Sequence, residues 1–274
     1  MMYQLFSAAG CVRCSVVKAY MDANGVPYRE QDIKADGKDA FKSFYKQNRK
    51  AVVRGTDGIE FPILYTGERI YQGLGVALAF LIAGDRLESA VRRSDLCRGW
   101  VGGIGVYDRP DTDDDALMAL LRFIKAQGLK VEIETDGTNP DLLAAIIQAG
   151  LLDRLSFLLR GPAGLYEQIT GVRLTESKLA QSLNLLSPPV SYKIILTMEP
   201  FQRDGERSAG LTPEEAADAA RFVFEATGSK THPFYIGPAP DLPDAEPASI
   251  DRPNLFKYRT MCRPYQVKCE ILKN

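Results

Sequence analysis

Four residues near the start of the chain, Cys11–Val12–Arg13–Cys14, have the types and spacing for thiol–disulfide exchange. In that chemistry the thiolate, not the thiol, is the nucleophile, so the setting of each sulfur decides its role. Residues 3–7 read as a short strand, and Ala8, Ala9 and Gly10 lead into the pair. From residue 11 to 24 the apolar Val16, Val17, Tyr20 and Met21 recur at helical spacing, and Gly25 is a suitable stop. Cys11 is therefore expected over the unpaired N–H groups of a helix N-terminus, where the helix dipole with Arg13 and Lys18 favours its thiolate. Cys14, one turn further in, is placed to attack a mixed disulfide on Cys11 and release the reduced product. The assigned roles are Cys11 attacking and Cys14 resolving. Two other readings stand beside this one: half of a metal site, or two buried thiols without chemistry. A zinc site needs two further ligands, and the remaining Cys97, Cys262 and Cys269 form no second C-x-x-C.

Composition narrows the function classes. The 34 basic and 35 acidic residues give a formal net charge of -1, which does not argue for nucleic acid or an anionic membrane as partner. The longest apolar runs, residues 142–147 and 194–198, are too short to span a bilayer. No basic segment followed by an apolar one opens the chain, so a cytoplasmic location is the expectation. Five cysteines in 274 residues do not form a disulfide framework, and the length points to two domains. The single histidine, His232, lies between Thr231 and Pro233, with no catalytic motif around it.

The elements that must position the dithiol follow from the pattern. Residues 26–33 read as a second strand and 38–47 as a polar helix with Phe41, Phe44 and Tyr45 on one side. Residues 63–65 and 69–71 form a hairpin around Thr66–Gly67–Glu68, and 76–82 form a closing helix ending at Gly84. Residues 1–86 are thus expected as one small α/β domain and the charged stretch 87–99 as a linker. Beyond it, strands at 100–107, 130–134, 154–159, 190–198 and 234–237 alternate with helices at 114–127, 140–149 and 212–226. That alternation predicts a parallel sheet or partial β/α barrel over 100–240. Residues 241–249 read as a flexible connection and 255–272 as strand-like, so 241–274 is expected as a tail packing on the barrel.

Residues 3–84 resemble a glutaredoxin. The strand and dithiol come first, then Glu60–Phe61–Pro62 where that family has its cis-proline loop, then the hairpin, then Gly73–Leu74–Gly75 before the last helix. The resemblance implies a thioredoxin-type fold, a cis Pro62, and substrate contacts from Arg13, Phe61, Pro62, Gly73, Leu74 and Gly75. The backbone beside Pro62 would pair with an incoming peptide or thiol like an added strand. Val12 and Arg13 replace the Pro–Tyr pair of glutathione-dependent members and look more like the redoxins that deliver electrons to ribonucleotide reductase. Residues 47–58 form a longer segment carrying Arg49, Lys50 and Arg54, either a solvated basic loop or a docking surface.

Residues 100–240 resemble, more weakly, the later part of the barrel of radical S-adenosylmethionine activating enzymes. Gly102–Gly103, Glu134–Thr135–Asp136–Gly137, Gly150–Leu151–Leu152–Asp153 and Gly161–Pro162 with residues 166–171 carry the likeness. In that family the glycine pair admits the methionine end of the cofactor and the T-x-G loop lies beside its ribose. The C-x-x-x-C-x-x-C loop that would hold a [4Fe-4S] cluster is absent, and Ile104 stands where an acidic residue is expected. This half is therefore expected to be a degenerate barrel used for partner recognition. Gly102–Gly103–Ile104–Gly105 lacks the full dinucleotide spacing, and the following Asp108, Asp111 and Asp113–Asp114–Asp115 would repel a phosphate. That acidic run reads as a helix N-terminus before it reads as a cation site.

Together these features predict a thiol–disulfide oxidoreductase that needs no cofactor for its chemistry, with glutathione as one candidate thiol. Its partner is a protein disulfide, and the two resemblances imply one in anaerobic radical or ribonucleotide metabolism. The alternatives are an iron–sulfur or metal-binding protein that uses the dithiol as ligands, or an activase-related protein that binds S-adenosylmethionine.

Overall fold

The computed structural model describes residues 2–55, 58–94, 99–110, 112–203, 206–207, 210–238 and 252–272. The chain is α/β, as its pattern predicts, with one mixed sheet and one parallel sheet. It divides into two compact units, Met1–Gly105 with Arg109–Glu132, and Val106–Asp108 with Ile133–Asn274.

The first unit opens with β1 (Tyr3–Ser7), α1 (Val12–Ala23), β2 (Tyr28–Asp32) and α2 (Lys38–Asn48). A short antiparallel pair, β3 (Arg54–Gly55) and β4 (Gly58–Ile59), precedes β5 (Ile63–Tyr65), β6 (Ile70–Gln72) and α3 (Leu74–Ala83). The main sheet runs β2-β1-β5-β6, with β1 parallel to β2 and antiparallel to β5. Leu5 and Phe6 are both fully buried although neighbouring strand residues point to opposite faces, so both faces of β1 are covered. On one side Phe6 packs with Phe44, Val52 and Ile63, its ring centroid 4.5 Å from that of Phe44. α1 and α3 pack together, with Val17 and Leu78 fully buried.

The stretch expected as a linker is partly structured. A 3-10 turn covers Gly84–Leu87, Leu87, Ala90 and Val91 are buried, and Val91 forms an antiparallel bridge to Ile104 of β7 (Trp100–Val106). α4 (Asp114–Ala126) packs on α3 with Leu117, Leu120, Leu121 and Ile124 inward, and Phe123 meets Tyr20 edge-on at 5.0 Å. The first compact unit therefore extends past residue 86.

The chain continues through β8 (Lys130–Thr135), α5 (Pro140–Gln148), β9 (Arg154–Leu159), α6 (Tyr166–Thr170), α7 (Glu176–Asn184) and β10 (Ser191–Thr197). The short pair β11 (Gln202–Arg203) and β12 (Glu206–Arg207) leads to α8 (Pro213–Thr227), β13 (Phe234–Gly237), α9 (Arg252–Cys262) and β14 (Cys269–Ile271). The parallel sheet has the order β14-β13-β10-β9-β8-β7. Its inner strands carry continuous apolar runs, Phe157–Leu158–Leu159 and Ile194–Ile195–Leu196, whose consecutive residues are all buried, so both faces are covered. α8 begins with a reciprocal cap: Glu215 N–H donates to Thr212 Oγ1 at 3.2 Å and Thr212 N–H donates to Glu215 Oε2 at 2.8 Å. Such a cap contributes about 1 kcal/mol.

Two expectations are corrected. α6 and α7 fill a stretch in which the sequence pattern predicts no element. Residues 255–262, read as strand-like, are helical: Leu255, Tyr258 and Cys262 recur at i, i+3 and i+7, and only Cys269–Ile271 is strand, parallel to β13.

Candidate functional site

Cys11 is the N-cap of α1, with extended backbone angles (φ -82°, ψ 104°). Its Sγ accepts the Cys14 N–H at 3.2 Å, so one of the unpaired donors of the helix start is aimed at this sulfur. Cys14 lies inside the first turn and is 2% exposed, while Cys11 is half-buried and Val12 beside it is 57% exposed. The two cysteines are paired as a disulfide with Cα atoms 5.3 Å apart. Cys11 is thus the more exposed residue of the pair and Cys14 the shielded one, the asymmetry that ordered attack and resolution requires.

The loop facing the pair is tied down from several sides. The Phe61–Pro62 bond is cis, and the Phe61 carbonyl oxygen lies 4.0 Å from Cys11 Sγ. Gly73 N–H donates to the Pro62 carbonyl at 2.9 Å, which holds the loop against the start of α3. Gln72 Nε2 donates to the carbonyls of Val53 (2.8 Å) and Glu60 (3.2 Å), and its Oε1 accepts Val53 N–H at 2.9 Å. The 47–58 segment is thereby pinned at Val53, while Arg49, Lys50 and Arg54 remain exposed. Phe61 turns its ring to Phe41, 5.4 Å away, and joins the core.

Arg13, Gly73, Leu74 and Gly75 line one pocket with Glu60 and Arg93. Leu74 is itself buried, 3% exposed. Glu60 was not singled out by sequence reasoning, yet it forms ion pairs with Arg13 and, at 3.2 Å, with Arg93. A Cβ built on Gly73 would stand 3.4 Å from Glu60 Oε1, so the carboxylate rests against the N-cap of α3. Lys18, expected to favour the Cys11 thiolate, is instead paired with Glu30 at 2.8 Å. The Glu30 carboxyl is held below the usual carboxylate range by hydrogen bonds from Lys18 and Ser7 that outweigh its desolvation.

The stretch around the glycine pair Gly102–Gly103 is hydrogen-bonded to the chain itself. Arg92 N–H donates to Gly103 O at 2.8 Å and Gly105 N–H to Ala90 O at 2.7 Å. Gly103 has φ +70°, and a Cβ there would fall 2.4 Å from the Arg92 carbonyl oxygen. Asp113 caps α4 by accepting Ala116 N–H at 2.9 Å and pairs with Arg86, as a helix N-terminus requires; Asp111 lies outside the described residues.

In the second unit the T-x-G loop is held by hydrogen bonds at Thr135 and Gly137. Thr135 Oγ1 donates to Val106 O at 2.7 Å and accepts Gly137 N–H at 3.1 Å, and Ser182 donates to Gly137 O at 2.8 Å. Gly137, at φ +83°, is closely approached by Phe157 and Leu179. A buried polar group that sequence reasoning missed lies just beyond the strands. Arg160, after β9, pairs with Glu199, after β10, at 3.0 Å, and its backbone N–H reaches Tyr166 Oη at 3.3 Å. A charged residue closing the apolar run 155–159 was the available signal. Burial, with the nearby Asp136 carboxylate, pushes the Tyr166 hydroxyl far above its ordinary range.

The scattered cysteines are placed in part. Cys262 and Cys269 are both buried and their thiols are hydrogen-bonded, which together with burial pushes the Cys262 thiol up. Cys97 lies outside the described residues. Among the described residues no three His, Cys, Asp or Glu side chains are grouped to hold a metal ion, and no helix is long and apolar enough to cross a membrane.

His232 is a core residue. Its Nδ1 lies 2.9 Å from Tyr192 Oη and its Nε2 2.8 Å from Thr227 Oγ1. Burial lowers its protonation range below the ordinary imidazole value. The folded state therefore favours the neutral ring, and the stabilisation this gives is present above about pH 6.5, the unfolded value. It is lost as pH falls below that value, because the unfolded chain takes up the proton first. Relative to His232→Gln, the wild-type unfolding free energy is expected to fall between pH 7 and pH 5, with a slope of up to about 1.4 kcal/mol per pH unit. Parallel denaturation curves for the two proteins over that range would refute this.

No family model, curated protein or solved structure matches this chain, so what its candidate site does is argued from its geometry.

Proposed function

We propose that this chain is a thiol–disulfide oxidoreductase of the glutaredoxin-like kind, working through Cys11 and Cys14, with its second unit serving partner recognition. The observation that carries this is the asymmetry of the pair: Cys11 at the helix N-terminus with the Cys14 N–H on its sulfur, and Cys14 buried behind it. The amide and helix dipole favour a thiolate on Cys11 once the disulfide is reduced. That thiolate attacks one sulfur of a substrate disulfide, the other sulfur leaves as a thiolate, and a Cys11–substrate mixed disulfide forms. Cys14, having lost its proton to solvent, then attacks Cys11 Sγ. The substrate departs reduced by two electrons and the Cys11–Cys14 disulfide is restored. The Phe61 carbonyl beside Cys11 offers an acceptor for the backbone of an extended substrate.

The narrower proposal, a partner in ribonucleotide or anaerobic radical metabolism, is supported by the likeness of Val12–Arg13 to reductase-linked redoxins and by the activase-like segments of the second unit. The test is mixed-disulfide trapping with Cys14→Ser, which can attack and cannot release. One dominant partner protein bound through Cys11 is expected, released by dithiothreitol. Capture of nothing under reducing pre-treatment would overturn the assignment.

A further inference from the structure

Beside the dithiol the protein has built an anion site and filled it with its own carboxylate. Glu60 is ion-paired with Arg13, the residue between the two cysteines, and with Arg93 at 3.2 Å; all three side chains are largely buried. Its Oε1 rests against Gly73, the N-cap of the ten-residue α3, where no cap side chain is present. Two guanidiniums converging at a helix N-terminus are what a bound carboxylate needs, through charge-assisted hydrogen bonds and the helix dipole. The pocket containing this group is lined by Gly73, Leu74 and Gly75, and Glu60 directly precedes Phe61, whose carbonyl oxygen lies 4.0 Å from Cys11 Sγ.

We infer that Glu60 is a specificity-determining residue that turns anionic disulfides away from Cys11 and leaves the site to disulfides without a carboxylate near the sulfur. This rests on the dithiol assignment made above and deepens it by naming a substrate class. An incoming carboxylate finds both guanidiniums already engaged by Glu60, which fills the place it would take and offsets one of the two positive charges that would draw it in. A neutral disulfide meets neither obstacle. The discrimination works by withholding from the anionic substrate an attraction that the arginine pair would otherwise supply, and it costs the neutral substrate nothing.

The experiment uses the full chain, reduced beforehand and freed of reductant. It reacts in a single turnover with three disulfides of similar size: dithiodipropionate (anionic), bis(2-hydroxyethyl) disulfide (neutral) and cystamine (cationic). Each turnover moves two electrons from the Cys11–Cys14 dithiol to the disulfide and yields two thiols, which are titrated against time. Glu60→Gln keeps the shape of the side chain and removes the charge. It is expected to raise the anionic-to-neutral rate ratio about tenfold or more and to lower the cationic-to-neutral ratio. A ratio within twofold of wild type, with neutral turnover intact, overturns the inference and leaves the reductase assignment standing. If neither protein reduces any of the three, the dithiol assignment falls and this inference with it. Should Glu60→Gln lose turnover of the neutral disulfide, Glu60→Asp takes its place. Its carboxylate is drawn back by one methylene from the two arginines, and the ratio must move in the same direction; an unmoved ratio overturns the inference.

Discussion

Cys11→Ser is expected to lower disulfide reduction by at least about a thousandfold, because under the proposed mechanism it removes the nucleophile and not merely a contact. Such a loss corresponds to roughly 4 kcal/mol of transition-state stabilisation. The substitution is structurally mild. Serine is a favoured N-cap residue, and its hydroxyl can accept the Cys14 N–H that now reaches Cys11 Sγ at 3.2 Å. Far-UV circular dichroism and the unfolding midpoint should therefore stay close to those of reduced wild type while single-turnover thiol release disappears. Cys14→Ser should behave differently: the first attack proceeds and half the thiol is released, with the other half retained on Cys11. If the two variants were instead equally inert, or if Cys14 alone carried the attack, the assigned order would be wrong. The burial contrast between the two sulfurs predicts the order and makes it testable by alkylation as well, with Cys11 modified first.

The dithiol and its setting were legible because each part depends on local sequence. A strand, three small residues, a C-x-x-C and an amphipathic run closing on a glycine are read within 25 residues, and α1 starts at Val12. The strands 154–159 and 234–237 were legible to the residue for the same reason, since each is a short, mostly apolar run bounded by turn residues. Glu60 was not legible. Its partners are 47 residues before it and 33 after it, and an isolated acid before an apolar pair carries no periodicity. The same holds for Gly103, whose tight approach is to a carbonyl in a stretch that looked like linker because its charges hid Leu87, Ala90 and Val91. The helices α6 and α7 escaped notice because they are short, five and nine residues, and their apolar positions are too few to show a period. The dithiol site was thus visible where chemistry is written in spacing, and invisible where it depends on chain segments meeting.

Arg160→Met is expected to destabilise the second unit by about 3–5 kcal/mol, since it leaves the largely buried Glu199 without the guanidinium 3.0 Å away. The methionine fills most of the volume, so the loss reports charge and hydrogen bonding, not a cavity. Glu199→Gln in the Arg160→Met background should recover a substantial part, because the stranded charge is then gone; the coupling from the double-mutant cycle is expected to exceed about 1 kcal/mol. Urea unfolding followed at two or more wavelengths would measure it. The place of this pair gives the number its interest. Arg160, Glu199 and the buried Asp136 follow β9, β10 and β8 at the carboxyl ends of parallel strands, where α/β proteins collect their ligands. In this chain the residues there bond to one another: Asp136 accepts Thr138 Oγ1 at 2.5 Å, and Thr197 Oγ1 bonds Glu199 at 3.2 Å. A large stability loss on Arg160→Met would mean that this end of the sheet is held shut by its own polar groups and serves as scaffold, in keeping with the proposed role of the second unit. A loss below about 1 kcal/mol, the value of an exposed pair, would mean that the ion pair contributes little to the fold and that Arg160 is kept for something that binds there.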